Sequence, residues 1–418
     1  MFKFIDKYRV VILNNKSVIE NYFFMTILQV LNSFFYLLIY PYLIRVLGIE
    51  YYGKFVFTTS IITYFIFFIN FGFDLPATKF IAQNLNNHSS IEKVVSNIFT
   101  AKILLFLISL LIVFILPVFF DFVNRNFTLF IICFSQTLFY VIFPQWFFQA
   151  IQKMKIVTCI QLTLKVLSLP FIFFLIKSRE QLELYAFIVS ASSIIGSLIA
   201  FYIVRVKFRV VIHLSPLSEL YNWFKESIPF FLSNSAGVIK EQSITLIIGS
   251  YFGMKEVAIY DLANKIVAIP KTLLMSVNAA IFPKLINSIS SKKVKQIIRL
   301  EYFISLSVVL FVLALGKYVI LILGGKDMVA AYPLAVILSF TVMIWLVVGA
   351  YINFIFVPKN KYFFATQNQA VALLSCLFFS LVGLLLKKDV LVLGLAIILS
   401  GFCEILYCKW IAHKEGLI

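Results

Sequence analysis

The sequence predicts an all-α polytopic membrane protein of about twelve transmembrane helices, with no sizeable soluble domain. Three observations predict it. Twelve apolar runs of roughly 20 to 28 residues succeed one another along the 418-residue chain, and a helix needs about 20 apolar residues to cross a ~30 Å hydrocarbon core. Hydrophobic residues make up 62% of the chain and charged residues 13%, about half the usual globular share of charge. The polar gaps are short, the longest on the outer side being only about ten residues. A soluble enzyme is excluded, because the chain has no room for a catalytic surface outside the membrane.

The spans read as 21–45, 52–73, 94–119, 127–148, 156–176, 184–204, 224–251, 257–282, 298–323, 330–356, 362–386 and 389–411. In span 1, Tyr22, Thr26, Gln29, Ser33, Tyr36 and Tyr40 recur at steps of three and four, which places them on one helix face, with Asn32 beside them. Such a face either holds helices together or lines a water path. The run begins near Asn21 and is too long for the apolar core of a cleavable leader. Span 2 ends at a turn leading to Pro76 and Lys79. Span 4 ends with Pro144-Gln145-Trp146-Phe147-Phe148-Gln149, then Lys153-Met154-Lys155, a stretch whose aromatics and lysines suit headgroup level. Between spans 6 and 7, residues 205–223 carry Arg205, Lys207, Arg209 and Pro216 and read as a cytoplasmic linker along the membrane surface.

A weak internal repeat divides the chain. Leu47-Gly48-Ile49-Glu50-Tyr51-Tyr52-Gly53 after span 1 matches Phe252-Gly253-Met254-Lys255-Glu256-Val257-Ala258 after span 7, and each is followed by a proline and a lysine, Pro76/Lys79 and Pro283/Lys284. The expected halves are a six-helix bundle over 1–204 and another over 224–418, joined by 205–223, with an axis along the membrane normal.

The net charge of +18 would suggest nucleic acid in a soluble protein. Here its distribution decides. Alternate gaps, with the span ends beside them, hold 20 and 10 basic residues, so both termini are expected in the cytoplasm, and nucleic acid is not an expected partner. Six lysines remain within the apolar runs: Lys102, Lys165, Lys225, Lys240, Lys265 and Lys271. A lysine at mid-span costs about 3 kcal/mol on insertion scales, so it should face a partner or a wet cavity. Lys225, beside Glu226 at the start of span 7, can snorkel to the surface; Lys102 can do so with strain. Lys165 is too deep. Lys240 adjoins Glu241, Asp261 and Lys265 stand one turn apart, and Lys271 follows Pro270. Three bases against two acids predict a local positive excess that attracts an anion. The competing reading of Asp261 and Lys265 is a self-satisfied pair. Asp261 or Glu241 could carry a coupling proton or sodium ion.

No catalytic residue, metal site or cofactor is expected. The cysteines (Cys133, Cys159, Cys376, Cys403, Cys408) lie in apolar runs without a CxxC pair, and neither an HExxH motif nor a phosphate loop is present.

Four segments resemble the Wzx-type polysaccharide (O-antigen) repeat-unit flippases of the multidrug/oligosaccharidyl-lipid/polysaccharide exporter superfamily. They are Tyr42-Leu43-Ile44-Arg45-Val46-Leu47-Gly48 with Tyr52-Gly53; Phe71-Gly72-Phe73-Asp74-Leu75-Pro76-Ala77-Thr78-Lys79; Gln145 to Lys155; and Ser227-Ile228-Pro229-Phe230-Phe231 with Ile281-Phe282-Pro283-Lys284. The resemblance runs from span 1 to span 12. It implies two six-helix bundles around a central cavity lined by spans 1, 2, 7 and 8, in a bacterial inner (plasma) membrane. It implies an oligosaccharide on a polyprenyl diphosphate as cargo, moved from the cytoplasmic to the outer leaflet. Membrane lipids, a polysaccharide polymerase and a chain-length protein are the other partners it suggests. Candidate substrate-binding residues are then Lys240, Lys265, Lys271, Lys165, Gln29 and Asn32, with Asp261 and Glu241 for ion coupling. A cation-coupled multidrug exporter of the same superfamily is the alternative. It should carry acids rather than lysines in its cavity.

Overall fold

The structure, a computed structural model, describes residues 16–286 and 291–417, with side chains except at 16–19, 22 and 275–293. Expectations resting on the side chains of Lys3, Lys7, Arg9, Lys16, Tyr22, Phe282, Pro283, Lys284, Lys292 and Lys293 lie outside that description. Among the described residues the chain is helical, without β-strands.

The helices are α1 (Lys16–Leu47), α2 (Ile49–Asn70), α3 (Asp74–Gln83), α4 (His88–Phe119), α5 (Asp121–Arg125), α6 (Phe127–Ser135), α7 (Thr137–Ile142), α8 (Gln145–Ala150), α9 (Met154–Leu175), α10 (Leu182–Val206), α11 (Leu217–Tyr251), α12 (Met254–Ile286), α13 (Ser291–Gly324), α14 (Ala331–Tyr351), α15 (Tyr362–Leu386) and α16 (Val390–Lys414). Ten stretches among the described residues are long and apolar enough to cross a membrane, and they coincide with expected spans 1–6 and 9–12. Expected spans 7 and 8 fall on α11 and α12, which have the length but carry Lys240, Glu241, Asp261 and Lys265 along it. Exposed Leu111, Phe114, Ile115 and Val118 on α4, and Leu381, Leu385 and Leu386 on α15, form apolar faces of the kind hydrocarbon covers.

Among the described residues two compact units emerge: those up to 35 with 65–231, and 36–64 with those from 232 onward. This differs from the division into 1–204, 205–223 and 224–418. The physical reason lies at the repeated turns. Gly48 and Gly253 both take left-handed backbone, at φ 81° and 94°, and so end α1 and α11 alike, as a glycine after a helix does. At Gly53 a Cβ would stand 1.8 Å from the carbonyl oxygen of Met254. With no side chain in the way, the start of α2 packs directly on the start of α12. Residues 36–64 therefore belong with the second unit.

In the first unit α3, α4, α8, α9 and α10 close around Phe73, Ala77, Ile98, Ala101, Phe147, Phe148, Met154, Val157 and Ala200. The stretch expected at headgroup level is thus in the core: Trp146, Phe147 and Phe148 are buried. The chain turns at extended Phe143 and at Pro144 before α8, which swings these rings inward against α3, where Thr78 Oγ1 donates to the carbonyl of Trp146 at 3.3 Å.

The 205–223 segment is also pinned. The N–H groups of Val211, His213 and Ser215 donate to Glu92 Oε1, Ser96 Oγ and Thr100 Oγ1 at 2.8, 3.2 and 3.0 Å. Donors two residues apart in extended chain are about 6.6 Å apart, and acceptors four apart on a helix about 6 Å. The two periods match, so the strap lies along α4.

The second unit packs α14 against α12, α13 and α16, and α15 against α16, around Val347, Ala350, Phe356, Cys408 and Ala412. Asp389 caps α16: the N–H of Leu391 donates to its carboxylate at 3.0 Å, and Lys387 pairs with it. That backbone bond first, and the lysine second, hold its pKa below the usual range.

Lys102 is the polar knot of the first unit. Only 3% exposed, it donates to Asn70 Oδ1, Asp74 Oδ1 and the Tyr140 carbonyl at 3.0, 3.2 and 3.3 Å. Three acceptors match its three protons, so it does not snorkel. The Phe71-Gly72-Phe73-Asp74 turn, left-handed at Phe71 and Gly72, delivers two of these acceptors from the end of α2 and the start of α3. Lys102→Ala should destabilise the protein by about 2 kcal/mol, because Asn70 Oδ1 and the Tyr140 carbonyl lose their donor, while half-exposed Asp74 can turn to water. Thermal unfolding in detergent checks this, with exposed Lys79→Ala as the control expected to stay within about 0.5 kcal/mol.

Candidate functional site

In the second unit Lys265 sits at the centre of a cluster drawn from α1, α2 and α12. Its Nζ donates to Asp261 Oδ2 and to Tyr52 Oη, each at 2.5 Å. Tyr52 Oη donates in turn to the same carboxylate oxygen at 2.9 Å. The ammonium lies 5.3 Å from the ring centre of Tyr36 and 5.2 Å from those of Tyr40 and Tyr52, within cation–π range of all three. Local sequence explains the convergence. Asp261 and Lys265 are one turn apart on α12, Tyr36 and Tyr40 are one turn apart on α1, and the Gly53 contact lets Tyr52 reach both. The cluster is not sealed, since the side chains of Lys265 and Asp261 keep 24% and 18% of their surface exposed.

Lys240, on α11, does not use the adjacent acid. Its Nζ binds Glu404 Oε1 of α16 at 2.6 Å, while Glu241 is exposed. Fully buried Asn368 on α15 lies 3.5 Å from Glu404 Oε2 through its Nδ2, and its Oδ1 accepts from the Cys408 thiol at 3.4 Å. Glu404 went unnoticed in the sequence reading, yet a signal was available: an acid deep in an apolar run needs a cation, and unplaced lysines stood in other runs. With Glu404 counted, bases and acids in this region balance at three each. The expected positive excess is thus corrected to local excesses set by pairing. Lys271 is one. Its ammonium lies over the Trp345 ring at 5.7 Å, and among the described residues no carboxylate stands within ion-pair distance of it.

In the first unit Lys165 donates to Asn32 Oδ1 at 2.7 Å and stands 5.4 Å over the Phe35 ring. Gln29 is exposed, and its main-chain carbonyl accepts from Ser33. The polar stripe of α1 is therefore divided, with Gln29, Asn32 and Ser33 in one unit and Tyr36 and Tyr40 in the other. Lys225 and Glu226 are exposed. The sequence-derived candidates thus come together as Asn32 with Lys165 and Asp261 with Lys265. Lys240 and Glu241 are kept apart.

Comparison with known proteins bears on this geometry. Residues 18–289 match the family model described as Polysaccharide biosynthesis protein. Two proteins named "Putative O-antigen transporter" are similar. One, from Escherichia coli (strain K12), is 26% identical over 288 residues, covering 69% of this chain and 69% of that protein. The other, from Shigella dysenteriae, is 26% identical over 256 residues, covering 61% and 64%. The alignments thus span about two thirds of each relative's length. Among solved structures, an inward-facing multidrug resistance MATE family transporter of the MOP superfamily is similar at a TM-score of 0.67 and 13% identity, over 91% of this chain and 94% of that one. An outward-facing MATE family transporter gives 0.56 at 16% identity, over 96% of each chain. Identities this low show the fold alone.

The Lys240–Glu404 pair predicts strong non-additivity. Lys240→Met should cost about 3 kcal/mol by stranding a buried carboxylate, whereas Lys240→Met with Glu404→Met should recover most of that loss. Thermal stability of the four proteins in detergent checks the cycle; additive losses would contradict the pairing.

Proposed function

The chain belongs to the polysaccharide biosynthesis protein family, and from that membership and the geometry above we propose that it is a lipid-linked oligosaccharide flippase. It moves repeat units carried on a polyprenyl diphosphate from the cytoplasmic to the outer leaflet of a bacterial inner membrane, with both of its termini in the cytoplasm. The observation that carries this reading is the Asp261–Lys265–tyrosine cluster. It holds an ammonium at membrane depth against a carboxylate that is still partly exposed.

The mechanism follows from exchange of counter-ions. In the empty protein Asp261 neutralises Lys265. An arriving diphosphate presents more charge and more acceptor oxygens than one carboxylate, so it competes for the ammonium. In a water-poor site that attraction is far stronger than in bulk water. Lys271 adds a second cation without a carboxylate of its own among the described residues. Asp261, once displaced, is left without its lysine and is the group to which the coupling ion goes. Binding of cargo and uptake of a coupling ion are then two sides of one event. Amides such as Asn32 and Gln29 suit sugar hydroxyls. Lys240, held by Glu404, has a lesser part in cargo binding, and exposed Glu241 a lesser part in coupling.

The multidrug-exporter reading draws on fold likeness at 13% identity. The relatives by sequence carry the O-antigen name, and the lysines of α11 and α12 equal in number the acids beside them, three to three. Both support the oligosaccharide.

Deleting the gene should cause complete lipid-linked repeat units to build up on the inner leaflet and surface polysaccharide to disappear. Unchanged lipids with altered drug resistance would favour the exporter. Lys265→Ala should reproduce the deletion, with transport down by about a hundredfold, the effect of losing about 3 kcal/mol from a desolvated charge contact. The variant should remain inserted and abundant. Lys225→Ala, at an exposed position, should be mild. Normal surface polysaccharide in the Lys265→Ala strain removes Lys265 from the site.

A further inference from the structure

The Gln145–Lys155 segment does more than fill the first unit's core. The turn that closes α8 passes through Gln152, which takes left-handed backbone at φ 55°. There the N–H of Lys153 bonds back to the Phe148 carbonyl at 2.8 Å and that of Gln152 to the Gln149 carbonyl at 3.1 Å. This is the Schellman pattern of a helix end, made without the usual glycine. The turn sets Lys153 and Lys155 at the start of α9, whose N-terminus is fixed by the Met154 N–H donating to Asn21 Oδ1 at 2.9 Å. Phe147 and Phe148 meanwhile grip the ring of Phe208, at 5.6 and 6.1 Å between centroids. That contact brings Lys207 to the same place. A cavity of about 400 Å³ results, entirely within the first unit.

Its lining has two chemistries. Lys153, Lys155 and Lys207 face one carboxylate, Glu20, so cations outnumber anions three to one. Phe24, Ile156 and Phe208 supply apolar wall, and the Lys155 ammonium stands 5.7 Å over the Phe24 ring. The positive end of the α9 dipole adds to the field. A small soluble anion would need no apolar wall. A purely apolar ligand would not need three ammonium groups. Next to Phe24 on the membrane-spanning α1, Phe23 is exposed, a surface along which an acyl or prenyl chain can lie. Lys153, Lys155 and Lys207 also belong to the basic, cytoplasmic set of gaps.

We propose that this cavity binds a phosphate-bearing lipid headgroup from the cytoplasmic leaflet. The three lysines meet the phosphate oxygens, the aromatic wall takes the first carbons of the chain, and Asn21 and Gln152 offer polar contacts beside the phosphate. The site is separate from the Lys265 cluster and does not depend on the transport reading. The same headgroup chemistry can come from an anionic phospholipid of the bilayer or from a prenyl diphosphate.

The full chain, purified in a neutral detergent, can be titrated with phosphatidylglycerol, with geranylgeranyl diphosphate and with phosphatidylcholine, and retained lipid read by native mass spectrometry. Retention of at least one of the two anionic lipids and not of the zwitterionic one is expected. Three exposed ion-pair contributions together amount to about tenfold in affinity, so a Lys153→Gln/Lys155→Gln/Lys207→Gln triple variant should lose about that much. Its unfolding temperature should not change. Lys326→Gln/Lys387→Gln/Lys388→Gln, in outer-side gaps, should retain lipid like the unaltered chain. A loss confined to the diphosphate assigns the site to cargo, and a loss confined to phosphatidylglycerol assigns it to bilayer lipid. Equal retention by the unaltered chain and the triple variant, equal retention of phosphatidylcholine, or no retention by either protein overturns the proposal.

Discussion

An ammonium group at membrane depth has to be answered by an acceptor, and the way each lysine is answered organises this molecule. Water is not there to do it, and a bare charge in a spanning helix costs several kcal/mol. Lys102 is answered completely, by three oxygens from three elements at 3% exposure. Lys240 is answered by one carboxylate more hidden than itself. Lys265 is answered by a carboxylate, a phenol and three rings in a site that stays partly open. Lys271 meets the indole face of Trp345.

That order runs from lock to site. A fully matched and buried lysine has nothing left to offer a ligand, and moving it would leave its acceptors stranded. A lysine whose counter-ion is partly exposed can trade that counter-ion for a better one. By the same physics Lys102, and less completely Lys240, hold helices together, and Lys265 is the lysine to which the proposed function gives the cargo. It also explains why the acid matters as much as the base: Asp261 lowers the cost of Lys265 when no anion is bound.

Much of this was legible in the residues. Apolar run length set the spans, and ten of them recur where expected. The repeat at Gly48 and Gly253 appears as matched left-handed helix ends. The i,i+4 spacing of Asp261 and Lys265 gave their contact directly. What escaped was everything carried between distant segments. Glu404 lies 164 positions from Lys240, and no local period links them. Trp146, Phe147 and Phe148 have the composition of an interfacial belt. The break in the helix at Phe143 and Pro144 turns them inward. The six-and-six division missed that 36–64 pack with the second unit, because a glycine's absent side chain leaves no mark in hydropathy.

The most direct measurement is translocation itself. Proteoliposomes holding only this protein and a fluorescent polyprenyl-diphosphate oligosaccharide on the inner leaflet should expose that lipid to a membrane-impermeant quencher outside, faster than protein-free vesicles do. A proton gradient should change the rate if Asp261 takes up a proton as cargo displaces it. Movement no faster than in protein-free vesicles, with the protein folded and correctly inserted, would contradict the account at its centre.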